Sequence, residues 1–128
     1  MTGKQELGAV GEEIAARFLI DQGYCLVDQN TKTRNGELDI IMKHPTGHWV
    51  FVEVKTVSGY GPDHHGDLYD PIDKLSRHKI HKLHRAIVQY LGPRCAHERW
   101  QLDAVIVYIN ADTDIAQCRL YEHISRDW

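Results

Sequence analysis

With 128 residues, 42% apolar and 26% charged, the chain has the balance of a soluble globular protein and the length of one domain, which excludes disordered, coiled-coil and collagen-like classes. Its formal charge of −3 argues against wholesale affinity for nucleic acid, but Lys74, Arg77, Lys79, Lys82 and Arg85 share one acid-free stretch with His78, His81 and His84, so one face is locally basic. The longest apolar run, Ala104 to Ile109, is too short for a bilayer, the polar start lacks a secretory core, and three cysteines suit reduced thiols, so a cytoplasmic protein with no membrane partner is expected.

Residues 4–22 predict a helix, with Leu7, Gly11, Ile14 and Phe18 on one stripe and Gly23 as its stop. Tyr24 to Asp28 reads as a short strand. Leu38 to Met42 and Val50 to Val54 alternate as the arms of a hairpin around His44-Pro-Thr-Gly-His48. Ser58 to Pro71, rich in Gly, Pro, Asp and His, predicts a long insertion. A second helix is expected from Pro71 to about Leu91, with Ile72, Leu75, Leu83, Ala86 and Tyr90 on one stripe, Lys79 in its middle, and Gly92-Pro93 as its end. Leu102 to Ile109 is an apolar strand and Ile115 to Tyr121 an edge strand. A strand, a crossover helix and a strand favour parallel pairing, whereas the hairpin is antiparallel, so the fold class is α/β: a mixed sheet flanked by helices.

The hairpin carries the candidate chemistry. Pairing His44 with His48 opposes Leu38 to Val54, Ile40 to Val52 and Met42 to Val50, making one face wholly apolar. The other face then opposes Asp39 to Glu53 and Glu37 to Lys55, with carboxylates about 5 Å apart across the strands. Two such acids repel unless a cation lies between them, and Lys55 supplies part of that charge. Hard oxygen ligands suit Mg²⁺ or Mn²⁺ better than zinc, and the implied chemistry is metal-assisted phosphodiester hydrolysis. The same four residues also suit a solvated cross-strand salt-bridge ladder. Ile41 and Phe51 share the charged face, however, so a helix or loop should cover part of it.

Gly36-Glu37-Leu38-Asp39-Ile40-Ile41 and Val50-Phe51-Val52-Glu53-Val54-Lys55-Thr56 resemble the PD-(D/E)XK nuclease signature. Gly8-Ala-Val-Gly11-Glu12-Glu13-Ile14-Ala15, Asn30, Lys79 and Asp103 extend the resemblance to the YraN-like family, a bacterial group similar to Holliday-junction resolvases. The resemblance implies a restriction-endonuclease-like fold in α-β-β-β-α-β order and an endonuclease acting on DNA, with selectivity for branched or damaged forms. It implies Asp39 and Glu53 as metal ligands, Lys55 as the catalytic lysine, Glu12 as an additional helix carboxylate contacting the metal or its water, and a homodimer. Leu38 stands where the signature has Pro, and Val57 where the family has Arg. The alternative is a module that keeps the fold and binds nucleic acid or protein without cutting.

Glu12 lies at the margin of the first helix's apolar stripe and can look toward the sheet. Lys79 must snorkel or meet an anion, either the acidic site or a substrate phosphate. Lys74, Arg77, Lys82 and Arg85 form a face for nonspecific phosphate attraction, and Lys32 and Arg34 could guide the nucleic-acid backbone. His64, His65, His78, His81 and His84 do not form a zinc set by spacing. Asp103 reads as a strand-end carboxylate capping backbone groups or supporting the core.

Overall fold

The computed structural model describes residues 4–58 and 71–125; the greater part of the predicted insertion, residues 59–70, lies outside them. The described chain forms helix α1 (Lys4–Ile20), strands β1 (Cys25–Thr33), β2 (Gly36–Lys43) and β3 (Trp49–Ser58), helix α2 (Arg77–Leu91), and strands β4 (Trp100–Asn110) and β5 (Ile115–Tyr121). The strands form one sheet in the order β1-β2-β3-β4-β5, antiparallel except for the parallel β3–β4 pair that the α2 crossover joins. This is the expected mixed α/β sheet, consistent with a restriction-endonuclease-like fold.

The hairpin register follows the sequence expectation. The His44 amide donates to the His48 carbonyl at 2.8 Å, and Ile40 pairs with Val52, Ile41 with Phe51 and Met42 with Val50. Ile40, Met42, Val50 and Val52 pack with Ala15, Ala16 and Leu19 of α1 and with Val105 and Val107 of β4. On the other face Ile41 and Phe51 pack under Ile80, Leu83, Ala86, Ile87 and Leu91 of α2, the cover that their presence among charged residues required.

Three local expectations need correction. Leu38 packs with Ile41 and Phe51 on the α2 side, because strand alternation is interrupted at Asp39: the described β2–β3 ladder stops at Ile40 and Val52, and opposite Asp39 the β1 chain turns through Asn30 at φ 50°. The second helix begins only at Arg77. A 3-10 turn, Pro71–Lys74, precedes it, and Ser76 breaks the helical spacing by accepting a hydrogen bond from the Lys79 amide at 3.1 Å as an N-cap. Lys79 therefore sits exposed at the edge of the apolar stripe rather than in its middle. Strand β1 runs five residues beyond the expected end at Asp28, through a polar stretch that pairs with β2 at the sheet edge.

Candidate active site at the open end of the hairpin

Where β2 and β3 cease to pair, their side chains take over. The Val54 amide donates to Asp39 Oδ2 at 2.9 Å, and the Asp39 and Glu53 carboxyls lie close enough to perturb each other. Glu53 is 8% exposed. Burial, and then the neighbouring Asp39 charge, pushes the Glu53 pKa up to about 7 against the pull of Lys79. Burial raises Asp39 too, opposed by the Val54 amide and Lys79. Each shift has the same origin: two carboxyls withdrawn from water and facing each other.

Two further elements converge here. From α1, Glu12 approaches with its pKa raised to about 7, first by burial and then by Asp39 and Glu37. It can approach because Gly11 lets the helix lie against Thr56 of β3, leaving no room for a side chain at that position. From β1, the Asn30 side-chain amide lies between the two acids, and in the amide orientation that satisfies both its nitrogen donates to Glu12 Oε1 at 2.9 Å and to Glu37 Oε1 at 3.0 Å. Asn30 carried only a family signal in the sequence; the physical one is that Asn tolerates the left-handed backbone at an interrupted strand.

From α2, Lys79 Nζ lies 3.1 Å from Glu53 Oε1. The ammonium that meets the acid pair is thus Lys79. Lys55 is half-buried two residues beyond Glu53 on β3, and the expected Glu37–Lys55 opposition does not form, because the described β2–β3 ladder ends at Ile40 and Val52. A cleft of about 570 Å³ opens beside the acids, with Asn35, Glu37, Asp39 and Glu53 on its strand side and His78, Lys79 and Lys82 on its helix side.

The remaining basic candidates are dispersed. Lys32 and Arg34 line a separate hollow with Thr33, Gln89 and Tyr90, and Arg85 borders another with His81 and His84. Lys74 and Arg77 are exposed ahead of the cleft. Among the described residues no three His, Cys, Asp or Glu side chains converge as a ready-made metal cage, and His64 and His65 lie outside the described residues.

The Asp39–Glu53 pair still fits a hard divalent ion. Mg²⁺ is commonly held by one or two carboxylates, with waters and substrate phosphate completing the shell, and deprotonated acids in a buried pair need a positive charge.

Asp103 faces the opposite, α1 side of the sheet. It is fully buried and accepts hydrogen bonds from Gln101 Nε2 and the His123 amide, which is the backbone-capping role read for it.

Residues 11–107, a span that holds every carboxylate and lysine of the candidate site, match the uncharacterised protein family UPF0102. The chain belongs to UPF0102. This is the YraN family whose resemblance the sequence carries, within the PD-(D/E)XK nuclease superfamily. The chain is 46% identical over 83 residues to a UPF0102 protein of Clavibacter michiganensis, an alignment spanning 65% of this chain and 64% of that relative. It is 36% identical over 112 residues to one of Corynebacterium efficiens, spanning 88% and 85%, and 37% identical over 105 residues to one of Rhodococcus jostii, spanning 80% and 82%. The names of these UPF0102 relatives state no activity.

Proposed function

We propose that this protein is a divalent-metal-dependent endonuclease that hydrolyses DNA phosphodiester bonds. The observation that carries the reading is the Asp39–Glu53 pair: two acids from neighbouring strands, Glu53 buried and Asp39 half-buried, opening on a cleft whose other wall is basic. A bound Mg²⁺ or Mn²⁺ would polarise the phosphate and lower the pKa of a water. Asp39 and Glu53 would hold the ion as carboxylates. Asp39 is oriented by the Val54 amide, while Glu12 is held by Asn30 where it can accept a proton. Lys55 would orient the attacking water or stabilise charge on the phosphate, and His78, Lys79 and Lys82 would hold the substrate backbone. No described element is aimed as a base reader, and phosphate contacts carry no sequence information, so the reading favours recognition by shape, of branched or damaged DNA. Its place would be the cytoplasm, where Cys25, Cys95 and Cys118 stay free thiols. Among the described residues no helix is long and apolar enough to cross a membrane.

The test is incubation with branched, nicked and single-stranded DNA in Mg²⁺ or Mn²⁺, beside D39A and K55A. Cleavage by the wild type that both variants lose is the expected result. Salt-sensitive DNA binding without cleavage in either metal would overturn the enzyme reading in favour of a binding module.

A further inference from the structure

Each acid at the hairpin end has a resident partner, and the partners differ in kind. Asp39 is held by a backbone amide, and Glu12 and Glu37 share the neutral Asn30 side chain. Glu53 alone among these four is shown held by a cation, Lys79, whose side chain is 51% exposed while that of Glu53 is 10% exposed. The buried acid is fixed in place, whereas the lysine stem is flexible and half in water, so the lysine is the partner that can leave.

The position of Lys79 on its helix points the same way. Lys79 is in the first turn of α2, where the Ser76 cap pins its backbone, and that turn contains no acid. A cation there opposes the positive end of the helix dipole and is favoured only while an anion from elsewhere faces it. The anion is Glu53, across the cleft on β3. The bridge therefore joins two walls of opposite sign, an acidic strand wall suited to a metal ion and a basic helix wall suited to a phosphate.

We propose that the Lys79–Glu53 bridge is an exchangeable counter-ion pair: in the free protein Lys79 occupies the cation's place on Glu53, and it passes to the substrate phosphate when Glu53 turns to a divalent ion. The proposal rests on reading the acid pair as a metal site. The exchange breaks one ion pair and forms two, so ion and phosphate reinforce each other's binding, and the coupling must be reciprocal.

The decisive measurement is calorimetric titration of Mn²⁺ into metal-stripped protein, which needs no turnover. Loss of the competing ammonium makes K79M bind Mn²⁺ about three- to ten-fold tighter than wild type, K79R stays near wild type, and E53Q binds weakly. K82M serves as the control for the general field, since Lys82 lines the same cleft; its Mn²⁺ affinity changes much less than that of K79M. Lys79 is half exposed, so its substitution leaves the core intact. Equal or weaker Mn²⁺ binding by K79M, or equal tightening by K82M, overturns the exchange and leaves the metal site standing. Absence of Mn²⁺ binding in the wild type and every variant overturns both.

Discussion

The Val54 amide donates to the Asp39 carboxylate, 2.9 Å away, at the point where the hairpin ladder gives out. Because His44 and His48 form a hydrogen-bonded pair, strand alternation makes the Leu38 carbonyl the acceptor Val54 would have found had the ladder continued. A side chain has replaced a backbone acceptor, so Asp39 both closes the sheet and offers a carboxylate to the cleft. The two roles separate by mutation. D39N keeps an acceptor oxygen and removes a repelled charge, so without metal it should melt at or above the wild-type temperature. D39A orphans the Val54 amide and should lose about 1–2 kcal/mol in urea denaturation. Both should lose Mn²⁺ binding; retention by either would remove Asp39 from the metal site.

The acids also set a pH dependence. Glu12 and Glu53 titrate near 7 in the folded protein, above their ordinary value of 4.5, so between those limits the folded state binds more protons than the unfolded one. Stability of the metal-free protein must therefore fall as pH rises from about 4.5 through 7, and the raised Asp39 and Asp103 act in the same direction. Melting in a chelating buffer should show that decline between pH 5 and 8, with a shallower slope in E53Q. Mn²⁺ should protect most at the alkaline end, where the acids are ionised. A rising profile that E53Q leaves unchanged would show that the acids are not held as described.

The hairpin register was legible because only one pairing keeps Ile40, Met42, Val50 and Val52 on a common face, and Ile41 with Phe51 announced the covering helix. The start of α2 was not legible, because Ile72 and Leu75 continue a helical spacing across the Ser76 cap, and that mistaken phase put Lys79 inside the stripe. Asp39 and Glu53 could be found from alternation alone. Lys79 on Glu53 and Asn30 on Glu12 could not, since they come from distant elements that only the packed sheet brings together. Leu38 crossed to the other face for a similar reason: the break at Asp39 is a tertiary event with no local sequence period.

Gly11 fixes how closely α1 approaches the site. A Cβ there would lie 1.8 Å from Thr56 Oγ1. In an open helix Gly→Ala would stabilise by about 0.5–1 kcal/mol, but here the overlap decides the sign, and G11A should cost about 1–3 kcal/mol. Because Glu12 is the next residue, the displaced helix should also weaken Mn²⁺ binding. T56A removes the closest atoms and should restore part of both in the double variant. A G11A protein as stable as wild type would show that the helix is free to move away.

Asp103 provides the contrasting case of a buried acid with structural work alone. Gln101 Nε2 donates to both its oxygens at 3.0 and 2.9 Å and the His123 amide donates at 3.0 Å, while Gln101 Oε1 meets His48 Nε2 at 2.6 Å. One carboxylate thus ties β4 to the segment that follows β5 and, through Gln101, to the hairpin turn. D103L strands these donors in the interior and should cost about 3 kcal/mol, whereas D103N retains one acceptor and should cost less. Asp103 pairs beside Val52 and points to the α1 face, away from Glu53. Folded D103N should therefore bind Mn²⁺ as the wild type does, measured by calorimetry below its melting temperature. A stable D103N that no longer binds the ion would move Asp103 from the scaffold into the metal site.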